Sequence, residues 1–259
     1  MSNDNKASMV KRHSIGKIKI DPRLLETIST GSEHIDALFG SGVNPGSITM
    51  ITGMPGVGKT TFSIKLVNAL AKNSGNVVLN GLEENSDATA RTYHRIHRDH
   101  EKNDFDLQHI FDVQELIEYM DSLPDNEPKI LVIDSMQYLT NKNQPELRGN
   151  ALAISCAQDL KDWALRTYGA VFFLNHVTKK GEFRGSQKLL HIIDAHLHLY
   201  WDRVKKSETY GSRMMEMLKN RYGTAGVYYI YKLLKHAFMF EGEAGFEDYA
   251  DAPAPMTKS

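Results

Sequence analysis

At 259 residues, with a formal net charge of −1 and a lone cysteine, the chain has the size and composition of one α/β domain with short arms. The single Cys156 excludes a disulfide framework and a cysteine-rich zinc module. The sequence also lacks a run of eighteen apolar residues or a secretory leader, so a soluble cytoplasmic protein with no membrane partner is expected. Residues 241–259 hold five acids against Lys258, which leaves the preceding body at +3, so any contact with nucleic acid must come from local patches.

Residues 1–19 mix polar and basic side chains without a period and read as an arm, flexible or laid on a neighbouring copy, ahead of a domain over residues 20–240. Thr30-Gly31-Ser32-Glu33 has the spacing of a capping box and predicts a short helix running to Leu38-Phe39 and stopped by Gly40. Gly42 to Gly46 turns the chain into a buried strand, Ile48 to Thr52. Next comes Gly53-Met54-Pro55-Gly56-Val57-Gly58-Lys59-Thr60, which fits the Gly-x-x-x-x-Gly-Lys-Thr phosphate-binding loop and has the required strand before it and amphipathic helix after it.

The glycines allow backbone angles that place consecutive amides around a phosphate, and the helix adds the positive end of its dipole. Lys59 is placed to reach the β- and γ-phosphates, and the Thr60 hydroxyl to bind a magnesium ion bridging them. The candidate nucleotide-binding residues are Gly53, Pro55, Gly56, Val57, Gly58, Lys59, Thr60 and Thr61, with ATP and Mg2+ as cofactors. A chance Gly-rich turn does not explain a lysine and a hydroxyl at the two positions that contact phosphate and metal.

Phe62, Ile64, Leu66, Val67 and Leu70 give the following helix one apolar face, and Val77 to Leu79 returns as a second core strand of the parallel kind. Glu83 and Glu84 follow that strand, where a carboxylate can polarise an attacking water. Glu83, nearer the strand end, is the preferred base; a solvated helix entry is the alternative. Ser86 and Asp87 are placed to cap a helix carrying Arg91, His94, Arg95, His97, Arg98 and His100. No carboxylate or cysteine completes a ligand set there, so a solvated basic face is expected. Phe111 to Met120 reads as a helix and Lys129 to Asp134 as a buried strand. Its terminal Asp134 is the second carboxylate expected around magnesium, and Ser135 reads as a bystander or a weak supporting group behind it.

A polar loop from Thr140 to Asn150 leads to a long helix with Leu152, Ala153, Cys156, Ala157, Leu160, Trp163 and Ala164 on one face; Gly169 ends it. Ala170 to Asn175 is the next strand. His176 at its end is either a γ-phosphate sensor or a satisfied core histidine. In the loop Thr178 to Gly185, Lys179, Lys180, Phe183 and Arg184 combine three cations with a stacking ring. This composition suits single-stranded DNA but is shared with ordinary surface loops; Asn141 to Arg148 is a lesser candidate. From His196 onward, four short alternating runs (His196 to Trp201, Arg213 to Lys219, Val227 to Tyr231, His236 to Phe240) predict antiparallel strands on one edge of the sheet. Within Lys219-Asn220-Arg221-Tyr222-Gly223, Arg221 is either a cation presented to the nucleotide site of an adjacent copy or part of a basic hairpin turn. The acidic Ala-Pro tail, residues 241–259, is expected to be disordered.

Taken together, Ile28-Ser29-Thr30-Gly31, the loop Gly53 to Thr60, Glu83-Glu84, Val132 to Gln137, His176-Val177-Thr178-Lys179 and Lys219 to Gly223 resemble the RadA (also called Sms) family of bacterial recombination ATPases, related to DnaB-type replicative helicases. The resemblance spans Ile28 to Phe240. It implies a RecA-type P-loop core, a mainly parallel sheet flanked by helices with antiparallel strands at its C-terminal edge. By the same resemblance Glu83 is the water-activating acid, His176 the sensor, and Lys219 and Arg221 residues given in trans. The implied activity is ATP hydrolysis coupled to a helicase-like or branch-migrating motor on single-stranded DNA, in a homo-oligomeric ring or filament with a hexamer as the expected ring. The family's four-cysteine zinc module and Lon-protease-like domain have no counterpart in the sequence, so a core-only form is expected. Asn175 stands where the family has Gly, and Arg184-Gly185-Ser186 where it often has Ala-Gly-Pro. A strand-exchange recombinase and a KaiC-like protein-binding switch without a DNA role are the alternatives; a GTPase is disfavoured because no Asn-Lys-x-Asp motif occurs.

Overall fold

The structure is a computed structural model that describes residues 15–97, 102–176 and 187–243. In chain order its first half contains α1 (Glu33–Phe39), β1 (Ile48–Gly53), α2 (Lys59–Ala71), β2 (Asn76–Gly81), α3 (Ser86–Ile96), β3 (Asp106–Gln108) and α4 (Val113–Ser122). Its second half contains β4 (Lys129–Asp134), α5 (Gly149–Thr167), β5 (Ala170–His176), α6 (Gln187–Ile192), β6 (Ala195–Trp201), β7 (Arg213–Asn220), β8 (Tyr228–Leu233) and β9 (Phe238–Phe240).

β1, β2 and β4 are buried at every position, as expected of strands covered on both faces. They lie within one nine-stranded sheet of order β3-β2-β4-β5-β1-β6-β7-β8-β9. The strands from β3 to β6 pair in parallel, and β7, β8 and β9 continue the sheet antiparallel. One core lies on the α2 side, with Ile51, Phe62, Leu66, Val67 and Leu70; the other lies on the α4 and α5 side, with Met50, Leu116, Cys156, Leu160 and Trp163. Cys156 is fully buried, and burial pushes its thiol up to about 12, which fits a small core residue. No helix among the described residues is long and apolar enough to cross a membrane.

The structure corrects several expectations. The run from His196 to Trp201 is a parallel strand beside β1, not an antiparallel addition; only the last three runs are antiparallel. Leu197, Leu199 and Trp201 are buried while His198 and Tyr200 are partly open. The alternation in β6 therefore reports how fully each face is covered, not the direction of the neighbouring strand. At α1 the capping box does not form. Ser32 is the N-cap without a side-chain bond, and Thr30 instead donates its hydroxyl to Asp36 Oδ1 at 2.6 Å; Gly40 ends the helix at φ 90°.

Asn85, rather than Ser86 or Asp87, caps α3 by accepting from Ala88 N at 2.9 Å. The face of α3 is not wholly solvated, because His97 is buried at its end; Arg98 and His100 lie outside the described residues. α4 starts at Val113 behind the Asp112 cap, leaving Phe111 outside and exposed. The first tail residues are tied down: Glu243 accepts from Phe240 N at 3.1 Å and pairs with Lys65 at 3.4 Å.

Candidate nucleotide-binding site

Parallel strands bring their carboxyl ends to one edge, and a switch in strand order opens a crevice there. β1 ends in the phosphate loop, β2 leads into Glu83, β4 ends at Asp134 and β5 ends at His176. The register places Gly81 opposite Asp134 and Gly53 opposite His176. Four sequence-distant candidates are thereby brought together by strand pairing alone. The Asp134 carbonyl fastens the β2 exit by accepting from Leu82 N at 2.6 Å and Glu83 N at 3.1 Å.

The loop itself is tightly held. A Cβ on Gly53 would stand 2.5 Å from Leu199 O, so only glycine fits where the chain leaves β1. Lys59 is almost fully buried at the start of α2 and donates to Gly53 O at 2.9 Å and Met54 O at 3.3 Å. Burial holds its ammonium below the ordinary lysine value, opposed by the nearby Asp134 and Glu83 carboxylates.

Asp134 is buried, which pushes its carboxyl up to about 6, against a hydrogen bond from Thr60 and with added repulsion from Glu83. Its Oδ1 has no hydrogen-bond partner among the described residues. An ionisable oxygen left unpaired in the interior is costly. Together with the adjacent Thr60 hydroxyl, it forms a pair of hard oxygen donors of the kind magnesium takes. The residues present therefore fit a magnesium–nucleotide site. His176 Nε2 lies 3.3 Å from Glu83 Oε2, so the proposed sensor touches the proposed base; both are partly exposed and Glu84 is open to solvent. The Ser135 hydroxyl is buried and unpartnered among the described residues.

Lys219 and Arg221 are not brought to this edge. Arg221 donates to buried Asp194 Oδ1 at 3.1 Å and to His191 O at 3.2 Å, while Lys219 Nζ donates to Leu190 O and Ile193 O, each at 2.6 Å. Asp194 Oδ2 accepts from Ile48 N at 2.9 Å and pairs with Lys161, which fixes this cluster at the amino end of β1. The length of β1, roughly 17 Å at about 3.3 Å per residue, separates it from the phosphate loop. Lys179, Lys180, Phe183 and Arg184 lie outside the described residues. In the second candidate loop, Asn141 is buried and donates to Asp159 Oδ2 at 2.7 Å and Ser155 Oγ at 3.0 Å, so that side chain holds α5.

Sequence reasoning missed Asp194 and a polar cluster directly beneath the loop. Thr52 Oγ1 lies 2.7 Å from His196 Nε2 and 2.8 Å from His198 Nδ1. The visible signal was His-x-His in an otherwise apolar strand.

The AAA domain family matches residues 24–182. The DNA repair protein RadA of Mycobacterium tuberculosis (strain CDC 1551 / Oshkosh) is 26% identical over 207 residues, covering 80% of this chain and 42% of that protein. The chain spans half or less of the length of the curated relatives it matches. Among solved structures, the ATPase domain of G40P is similar at TM-score 0.67 and 18% identity, covering 83% of this chain and 90% of that one. The KaiC-like protein PH0186 from Pyrococcus horikoshii OT3 is similar at TM-score 0.62 and 18% identity, covering 83% and 98%. At such identities these two show a shared fold and no more. The family match spans more than half of the chain and falls on the residues that build the site; the chain has a RecA-like fold and belongs to the AAA domain family.

Proposed function

We propose that the chain is an ATP-driven remodeller or motor on single-stranded DNA in recombination or repair, working in the cytoplasm as a ring or filament that hydrolyses ATP between copies. One observation carries this reading. Lys59, Thr60, Glu83, Asp134 and His176 meet at one edge of the sheet, whereas Lys219 and Arg221 sit at the opposite end. Phosphoryl transfer calls for cations around the transferred group, and Lys59 is the site's own lysine. A second copy, presenting its Arg221 end to this edge, would complete the set.

In this scheme Lys59 leaves the Gly53 and Met54 carbonyls to meet the β- and γ-phosphates. Glu83 takes the proton of the attacking water, and His176, in contact with Glu83, is placed to register loss of the γ-phosphate. Magnesium, held by Thr60 and Asp134, supplies charge neutralisation on the phosphates. The name of the RadA relative supports a role in DNA repair. The cations of Lys179, Lys180 and Arg184 favour DNA over a purely protein-directed switch.

The test is ATP turnover with and without single-stranded DNA. Hydrolysis stimulated severalfold by the strand is expected. Turnover indifferent to DNA would favour the KaiC-like switch, and absence of nucleotide binding would overturn the reading altogether.

A further inference from the structure

The phosphate loop is braced from a strand the nucleotide reading does not use. β8 lies three places beyond β1 in the sheet, yet the Tyr231 hydroxyl donates to Val57 O at 2.8 Å. Leu233, two residues on and on the same face, packs over the next residue of the loop: a Cβ on Gly58 would stand 2.6 Å from Leu233 Cδ1. Tyr231 is fully buried, and its ring stacks on Phe238 with centroids 4.7 Å apart and planes 7° from parallel. A hydroxyl on a ring so held has a fixed position.

A trans peptide carries its C=O and the following N–H on opposite sides. Holding Val57 O towards Tyr231 therefore turns Gly58 N–H to the other side of the loop. Gly58, at φ 113°, has no side chain to resist rotation of that plane, so the hydroxyl from β8 adds to the restraint that buried Val57 supplies from within the loop. Aligned successive N–H groups are what make a loop an anion nest.

We propose that Tyr231 is a positioning residue for the nucleotide phosphates, its hydroxyl fixing the Val57–Gly58 peptide so that the nest exists before ligand arrives. The proposal rests on the nucleotide-site reading above and extends it: the antiparallel part of the sheet preorganises the chain's own site, and preorganisation lowers the cost of binding.

Tyr231→Phe removes the hydroxyl and keeps the stacked ring. Calorimetric titration with Mg·ADP and Mg·ATP, together with steady-state kinetics well below the melting temperature, reads the effect. The loss of one hydrogen bond predicts a Kd raised about five- to tenfold for both nucleotides, KM rising with it, and kcat changed less than about twofold. Phe238→Leu is the comparison, since it loosens the ring stack but leaves the hydroxyl; it should lower the melting temperature and raise Kd clearly less than Tyr231→Phe does. Leu233→Ala, which removes the other β8 side chain packed on the loop, should raise Kd in the same direction and serves if Tyr231→Phe does not fold. Unchanged Kd in Tyr231→Phe, or an equal loss in Phe238→Leu, overturns the proposal. A wild-type chain that binds neither nucleotide overturns the site reading instead.

Discussion

His196 gives the sharpest quantitative expectation. It is buried beneath the phosphate loop with its Nε2 at 2.7 Å from Thr52 Oγ1, one residue before Gly53. Burial, with repulsion from His198 and Lys219, pushes it from 6.5 down to about 4. The folded chain thus refuses a proton that the unfolded chain accepts. Stability from this group is present above about pH 6.5, falls as the pH drops through the window to about 4, and is constant below it. The whole window is worth about 3 kcal/mol, and the part between pH 7 and pH 5 about 2 kcal/mol. His196→Gln keeps a side-chain amide where Nε2 meets Thr52 but cannot titrate. Urea unfolding without nucleotide should show the wild type losing about 2 kcal/mol more than the variant between those two pH values. His198, which burial also holds below its ordinary value, is present in both proteins, so its own loss largely cancels. Parallel stability profiles for the two proteins would refute the reasoning, whatever the variant's absolute stability.

Other expectations follow from the same geometry. Lys59→Ala should remain folded and lose ATP turnover; normal turnover by the folded variant would end the nucleotide-site assignment. Glu83→Gln should bind Mg·ATP yet lose hydrolysis, because an amide cannot take the water's proton; an active Glu83→Gln beside a dead Glu84→Gln would transfer the role to Glu84. Replacing Lys179, Lys180 and Arg184 with Ala should weaken binding to single-stranded DNA and reduce the salt slope by about 0.7 for each phosphate that is no longer neutralised. An unchanged affinity and slope in fluorescence anisotropy would place the DNA surface elsewhere.

The meeting of the candidate site residues at one edge was legible in the sequence for two separate reasons. The phosphate loop is eight consecutive residues, so its spacing is fixed by the chain itself. Glu83, Asp134 and His176 are far apart, but each ends or follows an apolar run, and parallel pairing alone collects such ends at one edge. What depends on a choice between near-equal local options was not legible. Asn85-Ser86-Asp87 offers three consecutive capping side chains, and only where the helix starts decides between them. Thr30 has Glu33 in capping reach, but Asp36, one helical turn further, takes its hydroxyl. Asp194 is a lone acid before a strand, and its partners Lys161, Arg221 and Ile48 meet it only through the tertiary fold.

The position of Lys219 and Arg221 constrains how they can act. Each cation is already engaged, and the engagements converge on the end of α6, where Leu190, His191 and Ile193 present carbonyls to them. The last carbonyls of a helix lack partners along the helix and sit at the negative end of its dipole. The two side chains are therefore a cationic cap on a helix of only six residues. Asp194 depends on Arg221 less, because Ile48 N and Lys161 hold its other oxygen. Service to a neighbouring copy requires Arg221, half-exposed, to leave this cap, so assembly on ATP should loosen α6 in the donating copy. Amide exchange across residues 187–193 should rise when wild-type chains assemble with a slowly hydrolysed ATP analogue. Arg221→Ala should start high and respond little. The same chains give the functional test. Arg221→Ala should lose hydrolysis on the order of a thousandfold with ATP binding retained. Mixed with Lys59→Ala, it should regain activity wherever a sound phosphate loop faces a sound arginine. Sizing of the mixture establishes that the two have co-assembled; co-assembly without recovered turnover would leave Arg221 as the cap of its own α6 and nothing more.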